Sequence, residues 1–428
     1  MTADCVPQAE RMTSARSNTR IDMASAITVG TIQSEAALSA RRVSVLLFDL
    51  LPTVPYYSGH LARALAQEEN LELALASATY THDRDFFQRM AVNKSPRCLD
   101  FAFRVPSRGI RRAFKLAEYL VNLAALRASF LKNKPDVIHV QFTPLMEHQL
   151  PFELWFLKSA RRMGIKLVYT VHNLLPHEHS ERLRASYAEL YSIVDHFVCH
   201  DEVTSDRLKT EFGIDNKKVS VIPHGPLFSE STASGPRPLL LTGLEPNTRV
   251  VLWQGIIRPY KGISQLLRAW KQARQSGMNA ALMIVGTGDQ DTIDSINAEI
   301  RSLAIESSVR LDLRFVSVEE LAGYYEAADV VVYPYTAVTT SGALMTGIGH
   351  GKAIIASDLP AFRQTLQNEK NALLIAHQDV NGWANALSLL TSNDDYRKRL
   401  AQRLTEDQGR RADWKQIANE TARVYRTL

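Results

Sequence analysis

An α/β protein made of two Rossmann-like halves is the fold predicted by three observations. Short apolar, β-branched runs alternate with helix-patterned stretches from residue 41 onward, as in parallel sheets covered on both faces. The alternation stops at a stretch rich in Pro, Gly, Ser and Thr, residues 226–248, and then restarts. The chain has 428 residues, more than the roughly 250–300 at which single cores stop growing.

The first half opens with the strand 43–48, ending at Asp49. The loop 50–59 carries two prolines and a Ser-Gly, so the following helix is expected over 60–69, before a strand over 71–79. Residues 108–134 read as one long helix with Phe114, Leu120, Leu123 and Leu126 on one face. Its ends are basic, and the cations at its N-terminal end oppose the helix dipole. A solvated face would accommodate them, as would contact with anionic headgroups. Further strands are expected at 135–141, 166–171, 195–200 and 219–225, with helices at 152–163 and 201–212. In the second half, strands at 249–254, 281–285, 309–315, 329–333 and 353–356 alternate with helices at 262–275, 292–303, 318–327 and 343–350. A last helix spans 414–427. The divisions are a mobile tail (1–40), a first domain (41–230), a linker (231–248), a second domain (249–412) and the terminal helix (413–428).

The totals restrict the function classes. Apolar residues make up 45% and charged residues 22%, with a formal net charge of +5, values of a globular protein mildly biased toward anionic partners. No basic patch interleaved with aromatics points to nucleic acid. Three widely spaced cysteines suggest neither a disulfide framework nor a zinc site, hence a reducing compartment. No apolar run reaches membrane-span length, and no signal peptide is evident, so a cytoplasmic protein is expected, at most lying on a membrane.

Two constellations suggest chemistry. In the second half, Gly255-Ile-Ile-Arg-Pro-Tyr-Lys-Gly262 leaves a strand and enters a helix, placing Arg258 and Lys261 at the strand's carboxyl end. The hydroxyl-rich turn 339–342 lies between another strand and helix, so its amides and the helix dipole favour phosphate. The two cations and the N–H groups up to Ser341 and Gly342 together suit a diphosphate; surface cations and an ordinary helix cap are the plainer alternatives. In the first half, His172-Asn173 ends a strand and His177-Glu178 follow. Such a histidine can bond sugar hydroxyls or move a proton. A metal cluster is disfavoured, because Pro176 breaks the helix that ligand spacing would need.

As a set, VIPHG (221–225), GIIRPYKG (255–262), IVGTG (284–288), YYEAADVVVYPY (324–335) and TSGAL…GKAIIASDLPAF (340–362) resemble the group 1, family 4-like glycosyltransferases. YTVHNLLPHE (169–178) looks like the acceptor-half signature of the bacterial exopolysaccharide members. The resemblance runs over residues 41–428. It implies the GT-B fold, two Rossmann-like domains facing across a cleft. It also implies transfer of a hexose from a UDP- or GDP-linked donor to a lipid-linked or polysaccharide acceptor, at the inner membrane face. Arg258, Lys261, Ser341 and Gly342 then match the diphosphate site, and Gly286 and Gly288 the loop near the base. The terminal helix is expected to cross back to the first domain, and no metal or other cofactor is expected. His172 is the favoured catalytic-side residue, with Asp49, Asn173 and Glu178 as acceptor-side candidates and Asp201 and Glu202 as further possible bases. One departure stands out. The family's Glu-x7-Glu pair falls on Val338 (or Thr339) and Thr346. That leaves open a retaining enzyme that binds its donor differently, a divergent inverting branch, or a catalytically silent protein that binds a nucleotide sugar or a partner enzyme.

Overall fold

A computed structural model describes residues 42–52, 55–80, 83–92, 94–105, 107–176, 180–225, 227, 238–338, 341–408 and 413–428. The expected tail, His177, Glu178, Thr339 and Thr340 lie outside them.

Six parallel strands form the first sheet: β1 (Val43–Phe48), β2 (Leu71–Ala76), β3 (Val137–Val140), β4 (Lys166–Val171), β5 (His196–Cys199) and β6 (Val219–Val221), in the order β2-β1-β3-β4-β5-β6. The second sheet contains β7 (Arg249–Gln254), β8 (Ala280–Val285), β9 (Val309–Asp312), β10 (Val330–Tyr333), β11 (Ala353–Ser357) and β12 (Leu373–Ile375), in the order β12-β11-β10-β7-β8-β9. This second order is that of a dinucleotide-binding fold, and its direction reverses between β7 and β10. The first sheet reverses between β1 and β3. Ligands of such sheets sit beyond the carboxyl ends at those crevices.

The longer helices are α1 (Pro55–Leu65), α2 (Arg108–Ser129), α3 (Phe152–Arg162), α4 (Ser180–Ile193), α5 (Glu202–Phe212), α6 (Ile263–Gln275), α7 (Gln290–Leu303), α8 (Val318–Ala327), α9 (Gly342–Gly349), α10 (Val380–Ser392), α11 (Asp394–Gln408) and α12 (Trp414–Arg426). They cover both faces of each sheet, and β3, β8, β10 and β11 are buried at every position.

Two expected helices change. The first begins at Pro55 rather than His60. Proline suits a first turn because its missing N–H would be unpaired there anyway, and the helix then buries Tyr57, Leu61 and Leu65 in the core. The long helix stops at Ser129, and Leu131 and Lys132 continue as a turn.

The terminal helix α12 belongs to the first half by packing. Asp413 caps it by accepting from Gln416 N, and Ile417, Ala418, Ala422 and Tyr425 share a core with Val45, Leu47 and Leu61. Tyr425 bonds His139 in β3 at 2.6 Å, and Arg426 reaches Glu68 at 3.6 Å. Gly225 fits so tightly that a Cβ there would lie 2.5 Å from the Trp414 ring.

Candidate active site

At the second sheet's switch point, β7 runs into Gly255 and a single 3-10 turn, Pro259–Lys261. Gly262 closes the turn at φ +70°, and a Cβ there would sit 1.7 Å from the Pro334 carbonyl oxygen, so only glycine lets the turn press against the exit of β10. This close approach carries Lys261 beneath the neighbouring loop. Its Nζ donates to the Tyr335 hydroxyl at 2.8 Å and lies 4.4 Å from that ring's centroid. Burial lowers the Lys261 pKa. Tyr335 is fully buried and its hydroxyl also bonds the Ser341 side chain. Ser341 in turn caps α9, accepting from Leu344 N at 3.1 Å. Lys261, Tyr335 and the amino end of α9 therefore form one connected chain. Arg258 is exposed. Asp289 is held low first by the Thr292 backbone N–H and hydroxyl, with the Arg258 charge contributing.

Gly286 and Gly288 have an immediate packing role. A Cβ on Gly286 would stand 1.9 Å from the Gly255 carbonyl oxygen, and one on Gly288 would stand 2.9 Å from the Ile257 side chain. Ile257 N donates to Thr287 O at 2.7 Å. The loop after β8 is thereby clamped onto the loop after β7. Thr346 is buried and its hydroxyl donates to the Gly342 carbonyl at 2.9 Å, so it is turned into its own helix. Val338 is half-buried against the core beside β10.

In the first half, β4, β5 and β6 are each followed within a few residues by a histidine: His172, His200 and His224. The three rings surround buried Tyr57 at 4.8, 5.1 and 5.0 Å, and Trp414 closes the ring at 5.3 Å. Hydrogen bonds fix the tautomers. The Ile222 carbonyl can only accept, so His200 carries its proton on Nδ1 and donates at 3.2 Å. Its Nε2 then accepts from His172 Nδ1 at 3.3 Å. His172 Nε2 is left with a lone pair, facing the Gln141 carboxamide at 3.1 Å. Turning that amide supplies the donor, and it also gives Gln141 Nε2 the partner it otherwise lacks. Burial drives the His200 pKa down to about 4 and that of His224 to about 3. It takes His172 well below the usual range, with His200 and His224 adding to the effect. The nest is neutral at physiological pH. Among the described residues no group of three or more His, Cys, Asp or Glu is arranged for a metal ion.

The structure thus sorts the first-half candidates. His172 is half-buried, stacked on Phe142 at 4.4 Å, with both ring nitrogens engaged. Asn173 beside it is half-buried. Asp49 has no exposed surface, accepts from Ser58 at 2.6 Å, and is pushed up to about 7 by burial, so it lies beneath the crevice instead of facing an acceptor. Asp201 caps α5 by accepting from Thr204 N at 2.6 Å. A cleft of about 310 Å³ between the halves is lined by His200, Glu202 and His224 on one side and by Ser341, Met345 and Gln364 on the other. Sequence reasoning misses His200 and His224, although each follows a strand of the same sheet as the strand before His172.

Both halves match known families. Residues 54–225 match the family described as Glycosyltransferase Family 4, and residues 248–393 match Glycosyl transferases group 1. The D-inositol 3-phosphate glycosyltransferase of Corynebacterium glutamicum is 25% identical over 63% of this chain and 68% of its own length. The phosphatidyl-myo-inositol mannosyltransferase of Mycobacterium leprae is 32% identical over 48% of this chain, and the match spans 53% of that relative. Among solved structures, Anabaena Alr3699/HepE in complex with UDP and glucose superposes with a TM-score of 0.67 at 16% identity, covering 90% of this chain and all of that one. The sucrose-phosphate synthase of Thermosynechococcus elongatus gives 0.69 at 18%, covering 90% and 99%.

Proposed function

We propose, for a chain that is a glycosyltransferase of GT-B fold, that it moves a hexose from a UDP- or GDP-linked donor to a lipid-linked or polysaccharide acceptor at the cytoplasmic face of a membrane. One observation carries the donor side: Lys261 is drawn under Tyr335 to the amino end of α9, at the switch point of the second sheet. A desolvated ammonium and free helix amides at one point suit a diphosphate. Arg258, one turn earlier, adds the second cation. The first half takes the acceptor. The relatives are a D-inositol 3-phosphate glycosyltransferase and a phosphatidyl-myo-inositol mannosyltransferase, which supports a hydroxyl-rich acceptor, lipid-attached as in the second.

The acceptor oxygen bonds the anomeric carbon while that carbon's bond to the diphosphate breaks. The leaving group takes the electron pair, and Lys261, Arg258 and the α9 amides stabilise its charge. The acceptor's proton needs a base. His172 and His200 have both ring nitrogens hydrogen-bonded and His224 is held neutral by burial, whereas Glu202 is an exposed carboxylate on the cleft wall opposite Ser341. In an inverting course Glu202 takes that proton.

The test is a thermal-shift screen with UDP- and GDP-sugars on the wild type and Lys261→Met, followed by diphosphate release with a polyprenyl-linked acceptor. A donor-specific rise in Tm that Lys261→Met abolishes, with turnover, is the expected result. No shift and no release with any donor overturns the reading; a shift without turnover leaves a binding protein.

A further inference from the structure

Helix α2 (Arg108–Ser129) is apolar on both of its faces. Tyr119, Leu123 and Leu126 enter the first half's core, and two polar residues point inward beside them. Glu118 is buried and accepts from Phe101 N at 2.5 Å, and Asn122 is buried and exchanges two bonds with the Leu99 backbone, at 2.7 and 2.9 Å. Its outward positions are apolar: between 109 and 128 every exposed residue is Gly, Ala or a large apolar side chain, Arg112 excepted. Ile110, Phe114 and Val121 stand 56%, 43% and 50% exposed. The inward polar groups pin the preceding segment so that Leu99 and Phe101 turn outward beside them, with the Phe101 ring 6.0 Å from that of Phe114. A continuous apolar patch of this kind marks an interaction surface.

We infer that this face docks the protein on an anionic lipid bilayer. The charges around it select the occupant. Arg104 and Arg112 are exposed at the patch's end, and Arg111 and Lys115 flank them half-buried. Between residues 99 and 128 the chain has two carboxylates, Asp100 and Glu118. Asp100 is tied to Thr79 N and Lys94, and Glu118 to the backbone beneath the patch. A second copy would bring the same cations and no exposed carboxylate of this segment to meet them. Phosphate headgroups over an acyl boundary meet both the arginines and the apolar ridge. Among the described residues no helix is long and apolar enough to cross a membrane, so the contact is with its surface. The same helix closes a small cavity with Leu50 and Leu51 after β1, which sets the acceptor half against the bilayer. This names the surface for the membrane contact in the proposed function and rests on that part of it alone.

The experiment is co-sedimentation of the full chain with phosphatidylcholine vesicles, with and without phosphatidylglycerol, at low and physiological salt. Wild type is compared with Phe114→Asp/Val121→Asp and with Arg112→Glu. Binding that needs phosphatidylglycerol, weakens with salt, and falls about tenfold or more in the double variant at unchanged Tm is expected. Absence of binding, binding that the double variant retains, or a solution dimer that the double variant dissolves would each overturn it. Turnover on a soluble acceptor analogue is measured alongside. Vesicle binding without turnover sinks the proposed donor and acceptor and leaves the docking face standing.

Discussion

Both halves are six-stranded parallel sheets, differing in strand order, and they use their carboxyl edges in opposite ways. The first gathers neutral imidazoles and aromatic rings around Tyr57, sealed by a helix from the far end of the chain. The second gathers a cation, a tyrosine and a helix amino end, with loops pressed together through glycines. The imidazoles of the first bond backbone carbonyls and neighbouring side chains; the polar groups of the second are arranged around charge. The first edge should therefore respond to protons and the second to anions. Each can be perturbed without the other.

The largest effect belongs to the anion side. Lys261→Met keeps the stem and removes the charge, and kcat/KM for a nucleotide sugar is expected to fall by about 10²–10³, with the first half unaffected. Equal activity of the variant would mean that Lys261 only braces Tyr335. Next is acid. His60, His139, His200 and His224 are lowered by burial to about 4, 3, 4 and 3. The unfolded chain takes up protons below pH 6.5 while the folded one does not, so this stability is present above pH 6.5 and lost as pH falls toward those values. Asp49 and Glu153, both raised to about 7 by burial, act oppositely: their stabilising contribution is present below the carboxylate range and lost as pH rises through 7. From pH 7 to 5 these six groups together lose roughly 3 kcal/mol, and the lowered His172 adds to the loss. Hydrogen exchange resolved by segment should show the first half opening before the second, where the lowered imidazole is His350, half-buried on Tyr325. Uniform opening would erase the distinction between the halves.

The second edge was the more legible in sequence. Its strands β8 and β10 are unbroken apolar runs, and the glycines of 255–262 and 286–288 punctuate the sequence around them. What the sequence did not show was Tyr335, because its link to Lys261 spans 74 positions and arises only when β7 and β10 become neighbours. The first edge was less legible for a related reason. His172 stood out beside Asn173, but its partners Gln141 and His200 come from adjacent strands, and the neutral, committed state of its ring follows from burial that composition does not report. The first turn of α1 is hidden in the sequence because Pro55 and a Ser-Gly have loop composition, and only the fold places Tyr57 in the core.

The clamp between the second half's loops can be tested by adding one carbon. Gly286→Ala demands φ +141° of an alanine and drives its Cβ into the Gly255 carbonyl, so a loss of about 2–4 kcal/mol is expected. Gly277→Ala is the control: it also has positive φ, at +90°, but meets no atom within 4 Å, so about 1 kcal/mol is expected. Similar losses in the two variants, measured by urea unfolding, would assign the cost to backbone strain and remove the clamp.

The smallest effect tests the seal on the first half. Tyr425→Phe deletes the hydroxyl that bonds His139 Nδ1 at 2.6 Å and keeps the ring packed at 5.6 Å. His139 retains Thr170 on its other nitrogen, so one buried hydrogen bond is lost, worth about 1 kcal/mol. Because Tyr425 and His139 are separated by most of the chain, the loss should appear as faster exchange in both β3 and α12. The loops of the second half should keep their protection. If α12 loosens alone, the helix is a detachable strap and the first half is complete without it. If both loosen together, the carboxyl-terminal helix is part of the first domain's core, and the two halves are joined by a chain that leaves the first, builds the second and returns.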